Sequence, residues 1–276
     1  LAACAAHDRD TQEDRTLIAG IRDLSNAHEL LWAWTVRTVK ARYQQSLLGG
    51  VWAILQPAAS AVIFSIIFTR FVPIDTNGIP YIVFSYAALV PWTFFTGSVS
   101  DMVDSLVLNM NLISKIYFPR EVLPFSATVA RLLDFGIAFA ILVLLMLFYR
   151  MPVFTPVWLF LPVIIAVQIL FSLGVGLAGA ALNVFYRDMR HLFALGLQLW
   201  LYASPVIYPV TSVPEQFRTL YFLNPMAGIL TAYRDVLLFG QVPGSYFWLA
   251  TVISIGVFLL GYWFFRRVEL RFADVV

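Results

Sequence analysis

The sequence predicts an all-α integral membrane protein with six transmembrane helices, an N-terminal amphipathic interface helix and re-entrant helices in its last external loop. Three observations carry this. The 276 residues are 61% hydrophobic and 12% charged, with a mean hydropathy of +0.81, whereas soluble domains carry about 25% charged residues. Charge-free runs recur at 43–69, 76–100, 135–149, 151–186, 192–214 and 236–265, and a helix needs about 20 apolar residues to cross a hydrocarbon core about 30 Å thick. Lys and Arg, finally, are divided unevenly between alternate connecting segments.

Residues 1–27 read as a polar N-terminal tail. Its first residues, LAAC, have the shape of a lipoprotein cleavage box at Cys4, but no apolar signal stretch leads into it in this sequence, and a frayed tail is the better reading. Residues 28–50, HELLWAWTVRTVKARYQQSLLGG, read as the amphipathic helix. Leu31, Trp34, Thr35, Thr38 and Val39 tend toward one face, and Arg37, Lys40 and Arg42 crowd toward the other. Trp beside basic residues suits a helix lying in a membrane interface, its cations meeting anionic head groups or a diphosphate. A plain juxtamembrane anchor has the same pattern.

The six spans fall at about 51–71, 80–100, 124–149, 157–185, 192–209 and 245–265. Pro57, Pro91, Pro162 and Pro205 lie in or near them, which membrane helices tolerate when neighbours satisfy the freed carbonyls. With the N-terminus inside, the segments 1–50, 101–123, 186–191 and 266–276 hold thirteen Lys or Arg. The outer segments hold four, Arg70, Arg150, Arg218 and Arg234, with Arg131 left aside as near-membrane. This bias orients both termini toward the cytoplasm.

The outer segment 212–240 is unusual. LYFLNPMAGILTAYRDVLLFG (220–240) is too apolar for a solvated linker, too short to cross twice, and broken at Asn224-Pro225. Re-entrant half-helices fit this pattern, with a small soluble unit as the alternative. Arg131 and Asp134, three apart, can pair on one helix face, a structural role rather than a proton relay. The small residues of LGVGLAGAAL (173–182) make a close helix-packing face.

Several function classes find no support. The net charge of +2 gives no footprint for nucleic acid. One cysteine excludes an intrachain disulfide, and three scattered His with one Cys make no metal pattern. Lys occurs only at 40 and 115, neither after a Gly, so the chain has no phosphate-binding P-loop. A secondary transporter wants midplane carboxylates and inverted repeats, and only Asp134, near one end, is offered. A membrane glycosyltransferase would have to rely on Asp101 and Asp104.

Aromatic residues are dense: eight Trp, twelve Tyr and 24 Phe. Trp92, Trp158 and Trp263 suit interfacial belts. Trp52, Phe64, Tyr86, Trp200, Tyr202 and Tyr208 are candidates to line a conduit by stacking on sugar rings, each with a packing or lipid-facing position as the alternative. The inner loop 101–123 leads into NLISKIYFPREVLP (111–124), which concentrates Lys115, Arg120, Glu121, two aromatics and two prolines. A short charged and aromatic loop of this kind suits being held by another protein.

Taken together, ELLWAWTVRTVKARYQQSLLGGVWAILQP (29–57), YAALVPWTFF (86–95), NLISKIYFPREVLP (111–124), ALNVFYRDMRH (181–191), ASPVIYP (203–209) and LNPMAGIL (223–230) resemble the membrane subunit of type-2 ABC exporters of polysaccharides, in particular the O-antigen and teichoic-acid permeases. SLLGG (46–50) departs from the pattern in having a second glycine. The resemblance implies a homodimer in a bacterial inner membrane, paired with two ATP-binding cassette subunits that hold ATP and magnesium, so that this chain has no cofactor and is not itself an enzyme. It implies a coupling helix at 111–121 contacting the ATPase through Ser114, Lys115, Tyr117, Phe118, Pro119, Arg120 and Glu121. Tyr117 and Phe118 would be the buried anchors and the charges the rim, with Pro119 and Pro124 ending the helix. It further implies that spans one and five line the conduit, adding Gln198 to Trp52, Phe64, Trp200 and Tyr202. The substrate is expected to be a glycan on a polyprenyl diphosphate: O-antigen, or alternatively teichoic acid, capsule or galactan, with small lipids or drugs as a more distant alternative.

Overall fold

The computed structural model describes residues 27–44, 51–71, 74–76, 78–113, 115 and 118–273. Ten helices make up the described chain: α1 His28–Gln44, α2 Trp52–Ile66, α3 Tyr81–Leu108, α4 Met110–Ile113, α5 Val122–Phe148, α6 Leu161–Phe185, α7 Met189–Tyr202, α8 Glu215–Tyr221, α9 Pro225–Leu237 and α10 Ser245–Val268. A wider π turn, Ile67–Phe71, continues α2, and tight turns, Pro156–Phe160 and Glu269–Ala273, flank α6 and α10. There is no strand among the described residues.

Five elements are long and apolar enough to cross a membrane: Ile54–Phe71, Tyr81–Leu108, Val122–Phe148, Pro156–Phe185 and Ser245–Val268. They match five of the expected spans. A helix spans His28–Gln44 within the segment read as the interface helix, while 45–50 lie outside the described residues. α3 continues to Leu108, past the expected end at 100, because Met102, Val103, Ser105 and Leu106 are buried. The connecting loop to α5 is correspondingly shorter than 101–123.

The segment 192–209 differs from expectation. Its helix, α7, has 14 residues, about 21 Å at 1.5 Å per residue, which is less than the hydrocarbon thickness. The Pro205 ring would collide with the carbonyl four residues earlier, so the helix ends at Tyr202, and after the closing bonds of Ala203 N to Leu199 O and Ser204 N to Leu201 O the segment to 209 runs on outside the helix.

α3 is the axis of the bundle. It packs against α2, α5, α6, α7 and α9, and its window is the most buried of the five. α6 pairs most closely with α10. A methyl on Gly174 would lie 2.6 Å from the Phe258 nitrogen, and one on Gly261 would strike the Gly174 carbonyl. The small-residue face of 173–182 is thus a backbone-to-backbone crossing within the chain. By contrast α2 exposes Val62, Ile63, Ile66 and Phe71, and α10 exposes Val252, Leu260 and Trp263, as lipid-facing surfaces do. α1, the α3–α5 loop and the turn after α10 share one end of the bundle, called here the near end. Residues 203–244 occupy the far end.

Candidate functional site

Thr93, Thr96, Gly97 and Ser100 follow the i, i+3, i+4, i+7 spacing of one helical face on α3. The Thr93 and Thr96 hydroxyls donate to Leu89 O (2.9 Å) and Trp92 O (3.1 Å), which keeps them satisfied inside an apolar bundle. On one side of this stripe lies a cavity of about 330 Å³, walled by Trp52 and Gln56 of α2, Arg42 and Tyr43 of α1, and Arg131 and Asp134 of α5. On the other side lies a cavity of about 260 Å³ under Ala194, Gln198 and Leu201 of α7. Thr96 and Ser100 line both. The polar face of α3 is therefore a common wall between α2 and α7.

An ion cluster closes the near end of the larger cavity. Arg42 reaches Asp101 (2.5 Å) and Asp134 (2.7 Å), and Arg131 reaches Asp101 (2.6 Å) and Asp134 (3.3 Å). Tyr43 donates its hydroxyl to Asp134. Burial, reinforced by that carboxylate, pushes the Tyr43 phenol up to about 12, so it stays a donor at neutral pH. Two cations and two anions thus tie α1 to α3 and α5 with no net charge. Gly97 makes room, since a methyl there would lie 3.0 Å from the Arg131 guanidinium. The expected Arg131–Asp134 pair is one side of this square. Of the three expected interface cations, Arg42 is engaged inside it, Arg37 lies over the Trp34 ring at 4.3 Å, and Lys40 is exposed.

The expected coupling contacts divide. Ser114 and Tyr117 lie outside the described residues, and Lys115 is exposed. Phe118 packs, half-buried, on a near-end cluster that includes Phe265 and Phe272, next to the half-buried Pro119. Glu121 is 1% exposed and pairs with Arg266 at 2.8 Å. Arg120 donates to the Glu269 carbonyl and lies 5.7 Å from the Phe272 ring centroid. Both charges turn inward onto the end of α10, where the sequence reading had them on an outer rim.

The aromatic candidates divide too. Trp52 and Tyr202 are exposed, as is Gln198, and Phe64 is half-buried beside Phe68. Tyr86 is 2% exposed in the main core. Trp200 stands edge-on to Phe95 and Phe171 and donates to Asn224 Oδ1 at 3.0 Å. Tyr86 thus lies in the interior and Trp200, half-buried, packs against it, and neither borders the cavities on either side of α3.

The far end holds a feature the sequence reading counted only as an outer charge. Arg234 of α9 is 3% exposed. It donates to Pro205 O (2.5 Å), Val206 O (2.8 Å), Tyr208 O (3.4 Å) and Phe84 O (3.3 Å). Asn224 caps α9 by accepting from Met226 N, and donates to Ala203 O and Ser204 Oγ. Tyr81 donates to Ile207 O (2.5 Å), and Tyr208 to Tyr202 O (3.1 Å). The carbonyls freed where α7 unwinds thus find side-chain donors, as non-helical backbone away from water requires. A lone Arg within an apolar helix that starts at Asn-Pro was the available signal.

The sequence pattern of the family described as "ABC-2 type transporter" matches residues 29–238. The chain belongs to the ABC-2 transporter family. With its long apolar helices, this makes it a multi-pass membrane protein. Among ABC-2 relatives, it is 30% identical over 255 residues to the O-antigen export system permease protein RfbA of Klebsiella pneumoniae, covering 92% of this chain and 97% of that one. It is 30% identical over 233 residues to RfbA of Myxococcus xanthus, covering 83% and 88%. It is 26% identical over 211 residues to the polysialic acid transport protein KpsM of Escherichia coli, covering 75% and 80%.

Proposed function

We propose that this ABC-2 protein is the membrane-spanning permease subunit of an exporter that moves a lipid-linked polysaccharide, such as O-antigen, across a bacterial inner membrane. Two copies pair with two separate ATP-binding cassette subunits, which carry ATP and magnesium. The observation that carries the reading is the polar, uncharged face of α3 between α2 and α7, with cavities on both sides. Hydroxyls, the Gln56 and Gln198 amides and the Trp52 indole offer hydrogen bonds and an apolar ring to a polyhydroxylated chain without the tight grip of net charge. The near-full-length likeness to proteins named for O-antigen export supports the substrate class. The likeness to a polysialic acid transport protein favours a capsular glycan as the second reading.

Six crossings with both termini cytoplasmic are part of the proposal. The Tyr81–Ile207 bond supports it, because Tyr81 is the first residue of α3, so the segment from Met189 to Ile207 travels the length of that helix. α8 and α9 then serve as the re-entrant helices. The lipid stays in the bilayer with its diphosphate near the exposed Arg37 and Lys40 of α1, and the glycan passes along α3. The apolar faces of α2 and α7, including Leu192, Leu195 and Leu199, meet lipid or the second protomer. The loop between α3 and α5 docks on the ATPase through the exposed Lys115 and its neighbours.

The test is affinity purification in mild detergent with mass spectrometry, followed by reconstitution with a polyprenyl-diphosphate glycan. A stoichiometric partner with a P-loop and ATP-dependent glycan export are expected. Purification of the intact chain without such a partner, or export that ignores ATP, overturns the reading.

A further inference from the structure

The near end and the α6–α10 crossing together form an unbroken line of hard contacts. Glu121, at the end of the α3–α5 loop, is buried against Arg266 of α10 at 2.8 Å. The Tyr262 hydroxyl donates to the same carboxylate oxygen at 3.4 Å, and Arg266 also reaches Glu269 at 3.1 Å. α10 in turn touches α6 backbone to backbone where Gly261 meets Gly174. Five residues along α6, a methyl on Gly179 would lie 2.6 Å from Val103 Cγ2 of α3 and 2.8 Å from the Phe193 ring of α7. Both side chains fill the notch the glycine leaves, and the ring is the contact that α7 supplies. At each of these joints the two sides are already in contact, so a displacement on one side moves the other.

We propose that the α3–α5 loop drives α7 by this route: from Glu121 through Arg266 into α10, from α10 into α6 at the two glycines, and from α6 into α7 at Phe193. The inference rests on the exporter reading, in which the loop receives motion from an ATP-binding subunit. It assigns Glu121 and Arg266 as positioning residues that transmit that motion into α10. The side-chain charges of Glu121 and Arg120 bond to α10 and the turn after it, and α6, which packs on α10, also touches α7.

The experiment uses the permease copurified with its ATPase and reconstituted in proteoliposomes, with ATP hydrolysis and glycan export measured on the same sample. Glu121→Gln and Arg266→Met are each expected to lower glycan exported per ATP hydrolysed at least five-fold while the ATPase still copurifies. The exchange Glu121→Arg with Arg266→Glu is expected to restore at least half of the lost ratio. Phe193→Ala, which withdraws the ring from the Gly179 notch, is expected to lower the ratio. An unchanged ratio in Glu121→Gln and Arg266→Met overturns the proposal. Loss of the ATPase from these variants also overturns it, because the pair would then serve docking. Should a variant fail to accumulate, Tyr262→Phe, which removes one hydroxyl and no charge, supplies the same reading, and a normal ratio there together with no effect of Phe193→Ala overturns the route. A wild-type chain that neither copurifies with an ATPase nor exports glycan overturns the exporter reading instead.

Discussion

The guanidinium of Arg234 lies 3.7 Å from the centroid of the Phe84 ring and donates to the Phe84 carbonyl, while its other nitrogens hold Pro205 O and Val206 O. One side chain of a short helix therefore joins the first turn of α3 to the unwound end of α7. No other side chain has this fork of five donors.

Arg234→Met keeps much of the volume and strands several carbonyls. Each buried polar group left without a partner costs about 1–3 kcal/mol, so a loss of about 3–5 kcal/mol is expected after partial relaxation. Arg234→Lys, with a point charge and three donors, should fall between the two. Thermal unfolding of the detergent-purified protein checks the order. Equal stability of wild type and Arg234→Met would contradict the clamp.

The cluster of Arg42, Asp101, Arg131 and Asp134 predicts non-additivity. Arg42→Ala leaves Asp134 facing Arg131 and Tyr43, and Asp134→Asn leaves Arg42 with Asp101. A double-mutant cycle on Arg42 and Asp134 should give a coupling of about 1–2 kcal/mol, below that of a fully buried pair because these side chains are 13–22% exposed. A coupling near zero would mean that α1 is held by its apolar face alone.

Two aromatic and polar positions separate packing from passage. The Tyr86 hydroxyl is buried without a hydrogen-bond partner among the described residues, so Tyr86→Phe should be neutral or stabilising by up to about 1 kcal/mol with export unchanged. Gln198 is exposed beside the cavity under α7. Gln198→Trp should fill that space and cut glycan export about ten-fold with little change in melting temperature. Export sensitive to Tyr86→Phe and indifferent to Gln198→Trp would reverse the two assignments.

Asp235 sets a pH dependence at the far end, where it borders a cavity of about 210 Å³ with Thr211, Arg218 and Thr231. Burial raises its carboxyl to about 6, against the opposing Gly244 N–H and Arg234. An acid whose pKa is raised on folding holds its proton more tightly in the folded state. Its contribution to stability therefore falls as pH rises from about 4, the ordinary carboxylate value, to about 6, and is at its lowest above that. Asp235→Asn should match wild type at pH 4 and be more stable at pH 7, as read by melting temperature at each pH. A benefit equal at both values would show that the charge is not the cause.

Much of the bundle was legible because apolar run length is a local property. α2, α3, α6 and α10 lie where uninterrupted apolar runs of sufficient length occur, and α5 extends the shorter run 135–149 upstream past Arg131 and Asp134. The small residues of 173–182 announced a close crossing because only glycine permits backbone contact. The end of α7 was less legible. Pro205 warned of a break, but whether the freed carbonyls find donors depends on Asn224 and Arg234, 20 to 30 residues further on.

Direction of facing was the other gap. Counting Arg234 with the outer charges, and Arg120 and Glu121 with a docking rim, treated charge as a mark of exposure. Glu121 is buried because Arg266, 145 positions away, meets it. Aromatic character makes Tyr86 and Trp200 candidates for a conduit wall, yet the core closes over Tyr86, and Trp200, half-buried, is held by Phe95, Phe171 and Asn224.

By itself the sequence determined that this protein is helical, membrane-embedded and kin to the ABC-2 exporters, since hydropathy, charge distribution and ordered motifs are written along the chain. Tertiary structure alone decided which polar groups face a cavity and which face one another. That choice turns on partners brought together from distant positions, and on whether each buried charge or carbonyl has one, which no local run of residues states.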